Sequence, residues 1–197
     1  GPRRAPEPRP YWSVDQAAGR AAAHPFSGDM TEAVDECERL LRRSIRGRLI
    51  ADVPLGALLS GGVDSSLAAA LAQAEGDGTL KTFTVGFAEA AYDESEAASA
   101  VARRLGCEHT ELPLSAADCL GAVPRLARSW DEPFADASAL PTLLVAELTR
   151  AHVTACLSGD GGDELFGGYN RHVMAPRLLA LRALPRGLRA LLGRGFT

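Results

Sequence analysis

The sequence predicts an α/β fold in which a doubly wound, mainly parallel sheet carries helices on both faces. Three observations predict it. Short apolar and β-branched runs end near residues 59, 87, 114 and 157 and alternate with segments of helical period, the order that right-handed crossovers lay down as parallel strands. The first and last of those runs pass straight into glycine-rich turns, Ser60-Gly61-Gly62 and Ser158-Gly159-Asp160-Gly161-Gly162, and strand ends open on the ligand-binding edge of such a sheet. A composition 46% hydrophobic and 23% charged over 197 residues suffices for one substantial core.

Each element has its own warrant. Residues 1–26 hold Pro2, Pro6, Pro8, Pro10 and Pro25 without a sustained period, so a linker is expected there, tacked down by Tyr11 and Trp12, with the folded domain over 27–197. Val34, Cys37, Leu41 and Ile45 recur at helical spacing and predict an amphipathic helix over 29–49, with Asp29 as its cap. Arg39, Arg42, Arg43, Arg46 and Arg48 form its solvated face and complement the C-terminal dipole. Leu58 and Leu59 read as a buried strand, Gly61 and Gly62 as a tight turn, and Asp64-Ser65-Ser66 as N-cap-type residues before a helix over 67–74. Strands are expected at 81–87 and 108–114, flanking a helix over 93–105 that Gly106 ends. Helices are expected over 115–129 and 141–152, with a loop between them and Pro141 in the first turn of the second, before a strand at 153–157. Beyond 171, Leu and Arg dominate and Pro185 divides two short helices.

Composition excludes several classes. A net charge of -4 argues against a general nucleic-acid surface. No apolar run approaches the roughly 20 residues of a membrane span and no signal-peptide core is present, so the expected location is the cytoplasm. Cys37, Cys107, Cys119 and Cys156 lack paired spacing and read as small buried apolar residues, neither a zinc site nor a disulfide framework. The four histidines show no triad or metal spacing.

The chemistry centres on the first glycine turn. N–H groups in the first turn of the following helix, with a macrodipole equivalent to roughly +0.5 charge, favour an anion such as pyrophosphate. The loop lacks the lysine of the Gly-x-x-x-x-Gly-Lys-Ser/Thr phosphate loop, which points to a different ATP chemistry. The bland alternative is a strand-to-helix turn of small residues. Asp163-Glu164 reads either as a magnesium site or as a helix N-terminal charge pair contributing about 0.3–1 kcal/mol. Asp131, Glu132, Asp136 and Ser138 either face a substrate or cap the helix at Pro141. Magnesium neutralises a pyrophosphate leaving group from one or two protein carboxylates while keeping waters and phosphate oxygens, and two acidic glycine turns supply those carboxylates.

Ser60-Gly61-Gly62-Val63-Asp64-Ser65 resembles the loop of the N-type ATP pyrophosphatases, which hold the β- and γ-phosphates while a nucleophile attacks the α-phosphorus. Combined with Asp52-Val53-Pro54-Leu55-Gly56, Thr82-Phe83-Thr84-Val85-Gly86-Phe87, Asp131-Glu132-Pro133-Phe134-Ala135-Asp136-Ala137-Ser138 and the string from Ser158 to Tyr169, it resembles the synthetase domain of glutamine-hydrolysing asparagine synthetases of the bacterial type over residues 10–180. The resemblance implies an adenine nucleotide alpha hydrolase-like fold, with Mg-ATP and aspartate forming a β-aspartyl-adenylate and pyrophosphate before ammonia displaces AMP to give asparagine. It implies that Ser60, Gly61, Gly62, Asp64, Ser65 and Ser66 cradle pyrophosphate and that Leu58, Val85 and Gly159 line the adenine and ribose pocket. Asp64 and Asp163 would hold Mg2+, and Asp160, where many relatives carry glutamate, joins Asp64 at the catalytic centre in an acid/base or orienting role.

The resemblance further implies small-molecule partners, no nucleic acid and no membrane, a homodimer as a conceivable assembly, and ammonia from a glutaminase domain of the parent chain. That domain begins with a cysteine nucleophile, whereas Cys37, the first cysteine here, falls in a helix. The family's catalytic lysine lies past this length, and Lys81 is the only lysine present. The expectation is a fragment truncated at its C-terminus, able to form a nucleotide site but incomplete for catalysis. The competing expectations are a related amidotransferase or cyclase acting on another carboxylate, a tRNA-modifying enzyme without the basic face such an enzyme needs, and a non-catalytic ATP-binding module.

Overall fold

The structure, a computed structural model, describes residues 8–87, 93–132, 136 and 138–180. The chain separates into two compact units, Gly1–Arg43 and Ser44–Thr197, and the boundary falls inside a helix.

The first unit holds α1 (Val14–Ala23) and the start of α2 (Met30–Leu49). The linker expected over 1–26 is thus helical in part. Ser13 caps α1 by accepting a hydrogen bond from the Gln16 amide at 3.3 Å, and the alanines that follow favour the helix. The prolines, which dominate the sequence pattern, flank this segment and do not interrupt it. Tyr11 and Trp12, expected as anchors, are 104% and 59% exposed. At α2 the expected Asp29 cap is a reciprocal box: the Glu32 amide donates to Asp29 Oδ1 and the Asp29 amide to Glu32 Oε2, both at 2.9 Å. Arg39 pairs with Glu36 and Arg42 with Glu38 one turn away, an exposed arrangement contributing about 0.2–0.5 kcal/mol per pair.

The second unit contains β1 (Leu55–Leu58), α3 (Val63–Glu75), β2 (Lys81–Phe87), α4 (Ser95–Leu105), β3 (Glu108–Leu114), α5 (Ala116–Ser129), α6 (Ala139–Arg150), β4 (Ala155–Leu157), α7 (Gly162–Phe166) and α8 (Asn170–Ala180). The strands are parallel, in the order β3-β2-β1-β4, with helices on both faces. The chain steps outward from β1 to β3 and then returns to the other side of β1, so the strand order reverses between β1 and β4. Open parallel sheets bind ligands outside the carboxyl ends of strands at such a reversal.

Alternation along the strands fixes the two faces. On one, Ala69 and Ala72 of α3 and Ala98 and Ala102 of α4 pack with Ala57, Leu59 and Leu80, and the small side chains let helix and sheet approach closely. Ile45 and Leu49 at the end of α2 cover this cluster, and Arg46 pairs with Glu75. On the other, Leu114, Ala122 and Leu144 pack with Val85, Phe87 and Leu112. Phe83, 1% exposed, is the largest fully buried side chain among the described residues. Gln73 ties the α3–β2 connection from both ends: its Oε1 accepts from the Leu80 amide at 2.8 Å and its Nε2 donates to the Gly78 carbonyl at 3.0 Å.

Several boundaries match the sequence pattern and a few shift. Gly106 ends α4 in the left-handed region, at φ +71°. Ser115 and Asp118 cap α5 reciprocally, and α5 runs through Pro124. α6 starts at Ala139, two residues before Pro141. The cysteines are half-buried rather than buried, all four as free thiols. Pro185 and the central part of the Asp131–Ser138 string lie outside the described residues.

Candidate functional site

The first wall of the site is built where β1 leaves the sheet. The Leu59 amide still donates to the Phe83 carbonyl at 2.9 Å, and the chain then turns at Gly61. Gly61 has φ +79°, and a Cβ there would stand 2.6 Å from Ala97 Cβ and 2.9 Å from the α4 backbone, so glycine is required twice over. Gly62 is the N-cap of α3 and supplies no side-chain acceptor. Asp64, Ser65 and Ser66 consequently sit inside the first turn of α3 rather than capping it, because the turn closes two residues earlier than their capping chemistry suggests. Ser60 and Ser65 hold the loop together. Ser65 Oγ accepts from the Ser60 amide at 3.2 Å and lies 2.9 Å from Ser60 Oγ, which accepts from the Gly62 amide at 3.3 Å.

The second wall follows β4. Gly161 and Gly167 bracket the five-residue α7 with φ +91° and +73°. This turn interlocks with the first. A Cβ on Gly159 would lie 2.7 Å from the Ser65 nitrogen and 3.0 Å from the Asp64 carbonyl carbon, and one on Gly162 would overlap the Asp64 carboxylate. Within the second turn, the Asp163 carboxylate occupies the space a Cβ on Gly168 would need. Asp160 Oδ2 accepts from Ser158 Oγ at 3.0 Å. Tyr169 Oη donates to Glu164 Oε1 at 2.8 Å, which holds the Glu164 carboxyl below its ordinary range and pushes the Tyr169 phenol up.

Between the two turns lies a cleft of about 900 Å³, floored by the end of β1 and the middle of β2 and flanked by α6. It brings together Leu58, Ser60, Gly62, Asp64, Ser65, Val85, Gly159, Asp160 and Asp163 from the sequence-predicted set. Gly61 and Ser66 are not in its walls: Gly61 fits against α4, and Ser66 Oγ is buried without a hydrogen-bond partner. Asp131 and Glu132 are exposed outside the cleft. Asp136 accepts from the amide and hydroxyl of Ser138 at 2.8 and 2.7 Å, which depresses its carboxyl and closes a turn ahead of Ser138, the N-cap of α6. Sequence reasoning missed Thr84, Thr142, Val145 and Tyr169 as wall residues. Thr84 adjoins Val85 and Tyr169 closes the second glycine string, so both were within reach; the α6 residues become neighbours only through packing across the sheet.

Asp64 and Asp163 offer hard oxygen donors on a single cleft, a donor set that suits Mg2+. Among the described residues no three His, Cys, Asp or Glu side chains converge, so further ligands would come from phosphate oxygens and water. The same walls carry Asp64, Asp160, Asp163 and Glu164 and, among the described residues, no Lys, Arg or His. No helix among them is long and apolar enough to cross a membrane.

The chain is 35% identical over 173 residues to asparagine synthetase [glutamine-hydrolyzing] 1 of Bacillus subtilis, a match covering 88% of this chain and 27% of that protein. It is 39% identical over 176 residues to a Mycobacterium tuberculosis protein provisionally described as an asparagine synthetase [glutamine-hydrolyzing], covering 89% of this chain and again 27% of the relative. The chain thus spans about a quarter of the length of these relatives. Among solved structures, an NH3-dependent NAD synthetase from Campylobacter jejuni superposes with a TM-score of 0.47 at 14% identity over 69% of this chain and 60% of that one, a likeness too slight to argue from. The Asparagine synthase family model matches residues 36–195, and the chain belongs to that family.

Proposed function

We propose that this chain forms the adenylating part of a ligase that converts aspartate to asparagine. The observation that carries the reading is the meeting of the two interlocked glycine turns at the β1/β4 reversal, with Asp64 and Asp163 on one cleft. ATP binds there with its β- and γ-phosphates at the N-terminus of α3, where Gly62 leaves the helix end without a side-chain cap. Leu58, Val85 and Gly159 line the adenosine end through apolar and backbone groups. The β-carboxylate of aspartate attacks the α-phosphorus, the bond to the bridging oxygen breaks, and pyrophosphate leaves into the loop. Ammonia then attacks the acyl carbon and AMP departs.

Asp64 and Asp163 would hold Mg2+, which neutralises charge building on the leaving pyrophosphate. The chain's own residues prearrange the site: the Ser60–Ser65 hydroxyl contact fixes the loop, and the Ser158 hydroxyl donates to Asp160, which we assign an orienting role at the reacting groups. We further propose that ammonia comes from glutamine through a glutaminase domain elsewhere in the parent protein, as the relatives' names suggest for them. The test is pyrophosphate release from Mg-ATP by the full-length protein with ammonia, aspartate being present or omitted. Aspartate-dependent pyrophosphate with asparagine formed is the expected result. ATP binding without a response to aspartate assigns another carboxylate acceptor or a sensing role and overturns the reading.

A further inference from the structure

Glu164 and Tyr169 have no part in the nucleotide assignment, yet both stand in the cleft wall. Their geometry is specific. The Tyr169 ring is fixed on two sides, with the Arg171 guanidinium 4.0 Å from its centroid and the His172 ring against it edge-on at 5.6 Å. A ring held in this way aims its hydroxyl, and that hydroxyl donates to Glu164 Oε1 at 2.8 Å. The exposed carboxylate is therefore engaged before any ligand arrives, by the Tyr169 hydroxyl and its own backbone amide with the Arg171 and His172 charges nearby, and it retains acceptor capacity for a further donor. The other acids of the cleft are differently engaged: Asp64 and Asp163 lie against Gly162 and Gly168, and Asp160 accepts from Ser158.

Resting on the proposed function, we infer that Glu164 receives the α-ammonium group of the amino-acid acceptor and that Tyr169 is the residue that positions it. The acceptor carries one positive charge and two carboxylates, and the described walls contain no cationic side chain to meet the latter. Its ammonium is the group these walls can recognise directly. A carboxylate hydrogen-bonded to a charged donor discriminates between acceptors, because one lacking the ammonium forfeits that charge-assisted bond and leaves Glu164 with its neutral Tyr169 donor.

The experiment measures pyrophosphate release by the full-length protein with aspartate and with succinate, which keeps both carboxylates and lacks the ammonium, in wild type, Glu164→Gln, Glu164→Asp and Tyr169→Phe. Glu164→Gln is expected to raise the KM for aspartate at least about tenfold and to shrink the preference for aspartate over succinate by a similar factor, with Mg-ATP affinity within about twofold. Tyr169→Phe, which keeps the ring packing, is expected to raise the aspartate KM about threefold or more without lowering kcat, and Glu164→Asp to retain part of the preference. An unchanged preference in Glu164→Gln overturns the assignment, as does a fall in Mg-ATP affinity equal to the fall for aspartate, which would make the pair a support for the loop. A wild-type enzyme that responds to aspartate while the variants match it removes only this inference, whereas a wild type without that response removes the proposed function and this inference with it.

Discussion

Asp64 and Gly162 meet across the gap between two turns, so each constrains the other's chemistry. Asp64→Ala is expected to weaken Mg2+-dependent ATP binding by about 100-fold or more while leaving the thermal midpoint nearly unchanged, since the side chain lies at the cleft and not in a core cluster. Calorimetry on folded protein checks this, and unchanged affinity removes Asp64 from the site. Gly61→Val should behave in the opposite way. Its cost falls on the fold, about 2 kcal/mol or more, because the residue combines φ +79° with a collision against Ala97. Urea unfolding separates the two cases: Gly61→Val shifts the midpoint and Asp64→Ala does not.

At the scale of the element, the strands were the most readable part of the chain. The run 81–87 coincides with β2 because β-branched and aromatic residues fill five of its seven positions, and 108–114 coincides with β3 for its alternation. α1 was hidden because five prolines in 26 residues outweighed a ten-residue pattern that needs only Ser13 and a row of alanines. The glycine turns were legible as a pair, since their chemistry is local in sequence. The α6 wall was not: Thr142 and Val145 read as ordinary helix residues, and only the crossing of α6 over β2 gives them a cleft to face. β2 itself is the element on which both packing faces depend. Phe83→Ala, at 1% exposure in its middle, is expected to destabilise the protein by about 3–5 kcal/mol, measured by chemical denaturation, and a loss below about 1 kcal/mol would contradict the core described.

The whole molecule should lose stability towards acid in two stages. Burial, with a smaller contribution from the Arg103 charge, holds His109 below its ordinary 6.5, and Thr82 Oγ1 engages its Nδ1 at 2.9 Å. Its folded pKa is depressed, so the unfolded chain binds the proton first, and stability falls as pH drops below 6.5 towards the folded value. His109→Gln should flatten that part of a midpoint-against-pH profile. The second stage begins below the ordinary 3.8 of Asp93, Asp118 and Asp136, whose carboxyls are held down by hydrogen bonds from serines at helix starts. These contributions are present above 3.8 and vanish as pH falls through the depressed values. A profile with no loss between pH 7 and about 5 in wild type would remove His109 from this account.

The interlocking of the two glycine turns also limits how the protein can be re-engineered. Gly159 and Gly162 leave room that Ser65 and Asp64 fill, so each turn is a mould for the other. A transplant of the Ser158–Tyr169 segment from a donor with a larger residue at 159 would drive a Cβ against the backbone at Asp64 and Ser65 and displace the first glycine turn some hundred positions earlier in the chain, whereas one at 162 would turn the Asp64 carboxylate aside. Grafting across this part of the fold has therefore to move both turns as one cassette.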